Sequence, residues 1–126
     1  MRASGVRVDT LPLVGRSVLI VEDEPLVAYE VEDNLRAAGA KTVAARHLEH
    51  ALRLADSTDF SAAVLDFNLG RDTSTTVCWR LVQRQIPFMF HSGERHNEFL
   101  LWPSAPVLIK PASPMMLVNM TARLLR

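Results

Sequence analysis

Short, almost wholly apolar runs alternate along this chain with segments that carry one apolar stripe at helical spacing, and this alternation constrains the fold most. The first run is Ser17–Val21 (SVLIV), and the segment after it places Val27, Val31 and Leu35 four residues apart. Apolar runs of this length are typical of strands buried on both faces of a parallel sheet, since a half-exposed strand alternates polar and apolar residues. Strands that alternate with helices in this way predict an α/β protein.

The pattern recurs often enough to predict a complete sheet. The apolar runs predict five strands, at residues 17–21, 41–45, 61–65, 87–90 and 107–109. The helical stripes predict helices that begin at Pro25 and Pro114, and two others at 48–55 and 74–85. Because parallel strands are joined by right-handed crossovers, these elements predict a doubly wound five-stranded parallel sheet with helices on both faces. Residues 93–105 lack a clean stripe, so the fourth helix is expected to be short or irregular.

The chain length fits one domain. It has 126 residues, 48% of them apolar, which is enough for one packed core of ordinary size. Residues 1–16 mix glycine, proline, arginine and small residues without a period, so we predict a flexible extension there and a domain over 17–126. Within the extension, residues 11–14 are apolar enough to pack on that domain.

Composition narrows the partners and the compartment. The 14 basic and 14 acidic residues give a formal net charge of zero, which argues against direct nucleic-acid binding. Cys78 is the only cysteine, so no internal disulfide can form and a reducing cytoplasmic location is expected. No apolar run approaches the length of a membrane span, and no signal peptide is apparent near the start, so no membrane insertion is expected.

Polar side chains follow four of the five predicted strands at the point where each strand ends. They are Glu22 and Asp23 after the first strand, Asp66 after the third, Ser92 after the fourth and Lys110 after the fifth. Open parallel sheets bind ligands beyond the carboxyl ends of their strands. We therefore expect these five residues to form one site.

Three carboxylates in one site constrain its chemistry. At an effective dielectric near 20, each close pair repels by roughly 4 kcal/mol, so the group must hold protons, pair with a cation or bind a metal. Oxygen ligands favour Mg²⁺, and the backbone carbonyl of Asn68 can add a further oxygen. The metal would let Asp66 act as a nucleophile toward a phosphoryl group, with Lys110 and the hydroxyl of Ser92 as its further partners.

The segments VLIVEDEP, AAVLDFNLG, FHSG and VLIKP resemble the signature segments of response-regulator receiver domains, in the same order. The resemblance covers about residues 17–126 and implies the flavodoxin-like receiver fold. It also implies that Asp66 is the phosphoacceptor and that Glu22 and Asp23 form the acidic metal pocket. Ser92 matches the switch hydroxyl and Lys110 the lysine that these domains use.

The resemblance implies a function in two-component signalling. A single-domain response regulator would accept a phosphoryl group from a sensor histidine kinase or a histidine phosphotransfer protein, with Mg²⁺ as cofactor. It would signal through protein–protein contacts and would not be an enzyme, apart from slow self-dephosphorylation. The alternatives are a pseudo-receiver adaptor that is never phosphorylated and an aspartyl-phosphate hydrolase of the haloacid-dehalogenase type. The hydrolase requires a second aspartate where this chain has Asn68.

Three features depart from the usual receiver pattern. Gly70 lies four residues after the acceptor, where a proline is common, and Val107 replaces the usual switch aromatic. The third is the short segment between Ser92 and Lys110. Together with the NLG loop and the FHSG turn, this segment resembles a subgroup of stand-alone receivers served by HWE-type histidine kinases. That subgroup usually has Phe-Ala-Thr-Gly at the turn, so His91 and Ser92 differ from it. Because Val107 is too small to act as the aromatic switch, we expect the response to appear as ordering of residues 93–105.

Overall fold

The computed structural model describes residues 11–126, and its main sheet has five parallel strands in the order β2-β1-β3-β6-β7. The elements are β1 Ser17–Val21, α1 Pro25–Ala37, β2 Lys41–Ala45, α2 Leu48–Ser57, β3 Ala62–Leu65, β4 Asn68–Leu69, β5 Asp72–Thr73, α3 Thr75–Gln83, β6 Phe88–Ser92, a 3-10 helix Asn97–Leu101, β7 Val107–Ile109 and α4 Pro114–Leu124. The predicted doubly wound sheet is confirmed. Among the helices of the described residues, none has the length and apolar character that crossing a bilayer requires.

The strand order places a crevice at one edge of the sheet. The chain runs from β1 outward to β2 and then returns to the other side of β1 as β3. At such a reversal the connections leave in opposite directions, so the carboxyl ends of β1 and β3 stand beside an open crevice where ligands bind. The two strands that flank it are those directly followed by Glu22 and Asp66.

Both faces of the sheet are buried, which explains why the strands read as unbroken apolar runs. Successive side chains of a strand point to opposite faces, so each strand contributes to two cores. The core beneath α2 and α3 contains Leu19, Val21, Leu65, Leu81 and Phe90, and the core beneath α1 and α4 contains Val18, Ile20, Leu35, Val64 and Leu117.

The segment between β6 and β7 is short and irregular, as predicted. Its helix is a single 3-10 element, and two aromatic residues fix it to the domain. Phe99 stacks on Phe90 with ring centroids 4.1 Å apart, and Trp102 is 5% exposed. Aromatic burial therefore replaces the missing helical stripe as the source of order here.

Several local predictions differ from the structure. The fourth predicted strand continues to Ser92, so His91 and Ser92 lie within β6. The loop after Asp66 contains the hairpin of β4 and β5.

The segment before β1 also contributes to the core. Leu13 is fully buried beneath α1, and its amide donates to the carbonyl of Ala38 at 2.9 Å. Gly39 follows α1 with φ +103 and approaches the backbone of Val14 closely. Residues 11–16 thus pack on the domain, as the apolar character of 11–14 allowed. The predicted flexibility of residues 1–10 lies outside the described residues.

Candidate functional site

Three carboxylates meet at the crevice between β1 and β3. Glu22 and Asp23 follow β1, Asp66 follows β3, and one oxygen atom of each lies within 4.8 Å of the others. The buried strands position them because the chain turns at the point where each strand leaves the core. The backbone amide of Asp66 donates to the carbonyl of Val21 at 2.8 Å, which fixes the two strand ends together.

Lys110, which follows β7, reaches across the sheet edge into this cluster. Its Nζ donates to Glu22 Oε1 at 2.6 Å and to Asp66 Oδ2 at 2.9 Å. Its ammonium loses hydration through burial, which lowers its pKa, but the hydrogen bonds and charges of the two carboxylates outweigh burial and raise the pKa overall. Lys110 therefore stays charged and partly neutralises the cluster.

Burial affects Glu22 most. Only 2% of its surface is exposed, and this desolvation, together with the charge of Asp66, raises the pKa of Glu22 to about 7 against the opposing hydrogen bond from Lys110. One lysine thus does not fully compensate two buried carboxylates. A site with this surplus of negative charge attracts a further cation.

The carboxylates of Asp23 and Asp66, together with Lys110, line a cavity of about 460 Å³, and the two remaining predicted residues, Ser92 and Asn68, line it as well. Ser92 lines it from the end of β6 and is 1% exposed, and Asn68 lines it from an exposed position of β4. The structure thus brings together all of the residues that the sequence predicted to converge. Their roles, including a metal-binding carbonyl at Asn68, stay predictions.

One contact was not predicted. The backbone amide of Gly70, in the turn between β4 and β5, donates to Asp23 Oδ2 at 3.1 Å, and Gly70 has φ +68. A proline has neither an amide hydrogen nor access to that φ value. The departure from the receiver pattern at this position was visible in the sequence, but its partner was not.

Two histidines adjoin the site in different ways. His91 is 8% exposed, and burial, followed by the positive charge of Lys110, lowers its pKa to about 4, so it is neutral at pH 7. His96 packs its ring on Phe67 with centroids 4.6 Å apart. His96 thus contacts an aromatic ring of the core, whereas His91 is a neutral group within the electrostatic reach of Asp66 and Lys110.

The donor set fits Mg²⁺. The cluster offers carboxylate oxygens from three residues, and hard cations with several retained waters prefer such ligands. The raised pKa of Glu22 reports the electrostatic stress that a divalent cation would relieve. The residues present therefore suit the cofactor that the sequence predicted.

Neither a protein-family profile nor a curated protein sequence matches the chain. Solved structures do match. A response regulator receiver protein from Sinorhizobium medicae superimposes with a TM-score of 0.80 at 20% identity, over 87% of this chain and 94% of that one. The receiver domain of a Pseudomonas aeruginosa sensor histidine kinase, solved with magnesium coordinated in its active-site cleft, has a TM-score of 0.77 at 20% identity, over 89% and 98% of the two chains.

A third similar structure is the response regulator PhyR from Brucella abortus. It is 26% identical with a TM-score of 0.75, and the match covers 90% of this chain and 49% of PhyR. The fold of this chain is therefore that of the response-regulator receiver domains, as the signature segments predicted.

Proposed function

We propose that this protein is a response regulator whose receiver domain accepts a phosphoryl group on Asp66 from a sensor histidine kinase or a histidine phosphotransfer protein. The observation that carries the proposal is the convergence of three carboxylates and Lys110 at the carboxyl edge of a receiver-type sheet. A cytoplasmic location accords with this function.

In the proposed reaction, a carboxylate oxygen of Asp66 attacks the phosphorus atom of the donor. The bond between phosphorus and the donor's imidazole nitrogen breaks, and that nitrogen keeps the bonding electron pair. Glu22, Asp23, Asp66 and the carbonyl of Asn68 would hold Mg²⁺. The bound cation would offset the negative charge of the phosphoryl oxygens.

Lys110 and Ser92 supply the remaining contacts. Lys110 contacts Asp66 before the reaction, and the aspartyl phosphate offers it oxygens with about one additional negative charge. Its ammonium can therefore move from the carboxylates to the phosphoryl group. The hydroxyl of Ser92 can donate to another phosphoryl oxygen, which draws the end of β6 toward the site.

A small-molecule phosphodonor tests the acceptor. With Mg²⁺ and a donor such as acetyl phosphate, we expect stoichiometric labelling of the wild-type protein and no labelling of Asp66→Asn. Intact-protein mass spectrometry measures the labelling. Asp72→Asn is the matched control, because Asp72 is an exposed acid on the neighbouring β5. Equal labelling of Asp66→Asn and the wild type would contradict the proposal, and an unlabelled wild type would favour the pseudo-receiver adaptor.

Removing one carboxylate tests whether the acidic pair serves the metal or the fold. Asp23→Ala should lose Mg²⁺-dependent phosphorylation, and without metal it should unfold no more easily than the wild type, because charge repulsion is relieved. Urea unfolding in EDTA measures this. A large loss of metal-free stability would show that Asp23 is structural.

A further inference from the structure

The turn between β4 and β5 is tied to the acidic site by one hydrogen bond. The amide of Gly70 donates to Asp23 Oδ2 at 3.1 Å, although the two residues are 47 positions apart in the chain. Asp23 lies in the loop after β1, and Gly70 lies in the turn of the β4–β5 hairpin, whose first strand carries Asn68. The bond therefore joins the loop and the hairpin that would both hold the cation.

The conformation of Gly70 makes this bond possible. Its φ of +68 lies in the left-handed region, which glycine adopts freely and asparagine tolerates. A Cβ at this position would meet nothing within 4 Å, so the backbone conformation, and not lack of space, restricts the residue type. Proline, common at this position in receivers, cannot adopt this φ and has no amide hydrogen to donate.

The bond orients the carboxylate without removing it from the cluster. Asp23 uses Oδ2 to accept from Gly70, and one of its oxygens still lies within 4.8 Å of the oxygens of Glu22 and Asp66. Partners that fix a metal-ligating carboxylate from behind raise metal affinity, because the ligand loses less freedom on binding. A hydrogen bond from an amide to a charged carboxylate is also stronger than one between two neutral groups.

We propose that Gly70 is a positioning residue, whose amide holds Asp23 in the orientation that binds the divalent cation. This inference rests on the proposed Mg²⁺-dependent function and assigns to the turn a contact that proline at this position could not make. It predicts that cation affinity depends on the residue at position 70 through Asp23.

Mn²⁺ binding to the full chain, followed by electron paramagnetic resonance, gives a readout that does not require phosphorylation. We expect Gly70→Pro to raise the Kd about tenfold, as loss of an orienting partner does. Gly70→Asn keeps the amide and tolerates the φ value, so its Kd should stay within about threefold of the wild type.

Gly15→Pro is the matched control for backbone strain. Gly15 also has a positive φ, +78, and an added Cβ there would meet nothing within 4 Å, but it lies before β1, at the opposite end of that strand from Glu22 and Asp23. We expect it to change the Kd by less than about twofold, even if it lowers the midpoint of thermal unfolding. A comparable loss of affinity in Gly15→Pro and Gly70→Pro would overturn the proposal.

A double-mutant cycle separates the hydrogen bond from a change in the turn that carries Asn68. In an Asp23→Ala background, Gly70→Pro should change the Kd by less than about twofold, because the carboxylate it orients is gone. A persistent tenfold loss there would overturn the inference, as would an unchanged Kd in Gly70→Pro alone. Failure of the wild type to bind Mn²⁺ or Mg²⁺ would contradict the proposed function itself.

Discussion

Two cavities at opposite ends of the sheet differ in the side chains that form them. The cavity at the carboxyl edge has a volume of about 460 Å³ and is lined by charged residues that include Asp23, Asp66 and Lys110. A larger groove, of about 580 Å³, lies at the amino ends of β6 and β7 and is lined mainly by apolar residues such as Trp79 and Trp102.

The difference shows that the size of a cavity does not identify the functional site. The apolar groove follows from aromatic packing that stabilises an irregular segment, since Trp102 contacts Trp79, Phe88 and Phe90. The polar cavity carries an electrostatic cost, because Glu22 is buried beside Asp66. A buried carboxylate with a raised pKa beside a charge partner is characteristic of ligand sites, which supports the smaller cavity as the proposed functional site.

The largest loss of stability should come from a substitution in the apolar groove. Trp102→Ala removes a nearly buried indole and should lower the free energy of unfolding by about 3–5 kcal/mol, measured by urea denaturation. Trp102→Phe, which keeps a ring, should cost less and should bind Mg²⁺ with the wild-type affinity. Leu100→Ala, with the side chain 81% exposed on the same 3-10 helix, should cost below about 0.5 kcal/mol. A tenfold loss of Mg²⁺ affinity in Trp102→Phe would mean that the two ends are coupled.

In metal-free buffer, two buried residues at the carboxyl edge should make the free energy of unfolding depend on pH in opposite directions. The pKa of Glu22 is raised from 4.5 to about 7, so the folded state retains a proton and loses stability as pH rises through that window. The pKa of His91 is lowered from 6.5 to about 4, so the folded state gains stability as pH rises between those values. The two contributions therefore oppose each other where their windows overlap, between pH 4.5 and 6.5.

Single variants should expose each dependence. The unfolding free energy of His91→Ala should fall between pH 4.5 and 7, because only Glu22 remains of the pair. That of Glu22→Gln should rise between pH 4 and 6.5, because only His91 remains. Parallel pH profiles for the two variants and the wild type would contradict this account.

Lys110 should contribute less to the free energy of unfolding than the packing of Trp102, and its contribution should depend on whether Mg²⁺ is present. Lys110→Met leaves Glu22 and Asp66 without their cation and should cost about 2 kcal/mol in EDTA at pH 8. Saturating Mg²⁺ should restore most of this stability, since the cation replaces the lost charge. Lys41→Met, on an exposed position of β2, is the control. An equal loss with and without Mg²⁺ would show that Lys110 acts through packing.

The smallest effect concerns communication between the two ends. Ser92 borders the polar cavity, and the segment 93–105 that follows it carries Trp102 to the apolar groove. Phosphorylation or beryllofluoride binding should therefore increase amide protection in 93–105, an ordering change of about 1 kcal/mol or less. Unchanged protection there, with changes elsewhere, would contradict this mechanism and leave the two ends independent.

Much of the architecture could be predicted because its signals are local. Each strand of the main sheet begins within one residue of its predicted start, since an apolar run and its flanking turn residues are read from neighbouring positions. The end of β6 was missed because His91 and Ser92 are polar, yet they continue the strand by pairing with Leu108 and Ile109 of β7. The hairpin after Asp66 gave no periodic signal, since its strands have two residues each.

The sequence by itself determined the alternation of strands and helices and the polar residues at the carboxyl ends of four of the five strands. Parallel strands bring their carboxyl ends to one edge, so this information predicted that Glu22, Asp66 and Lys110 would meet. Only the tertiary structure decided the contacts between distant segments: the hydrogen bond from Gly70 to Asp23 and the burial of Trp102. These contacts depend on how loops fold over the sheet, and loops have no repeating pattern from which their partners can be predicted.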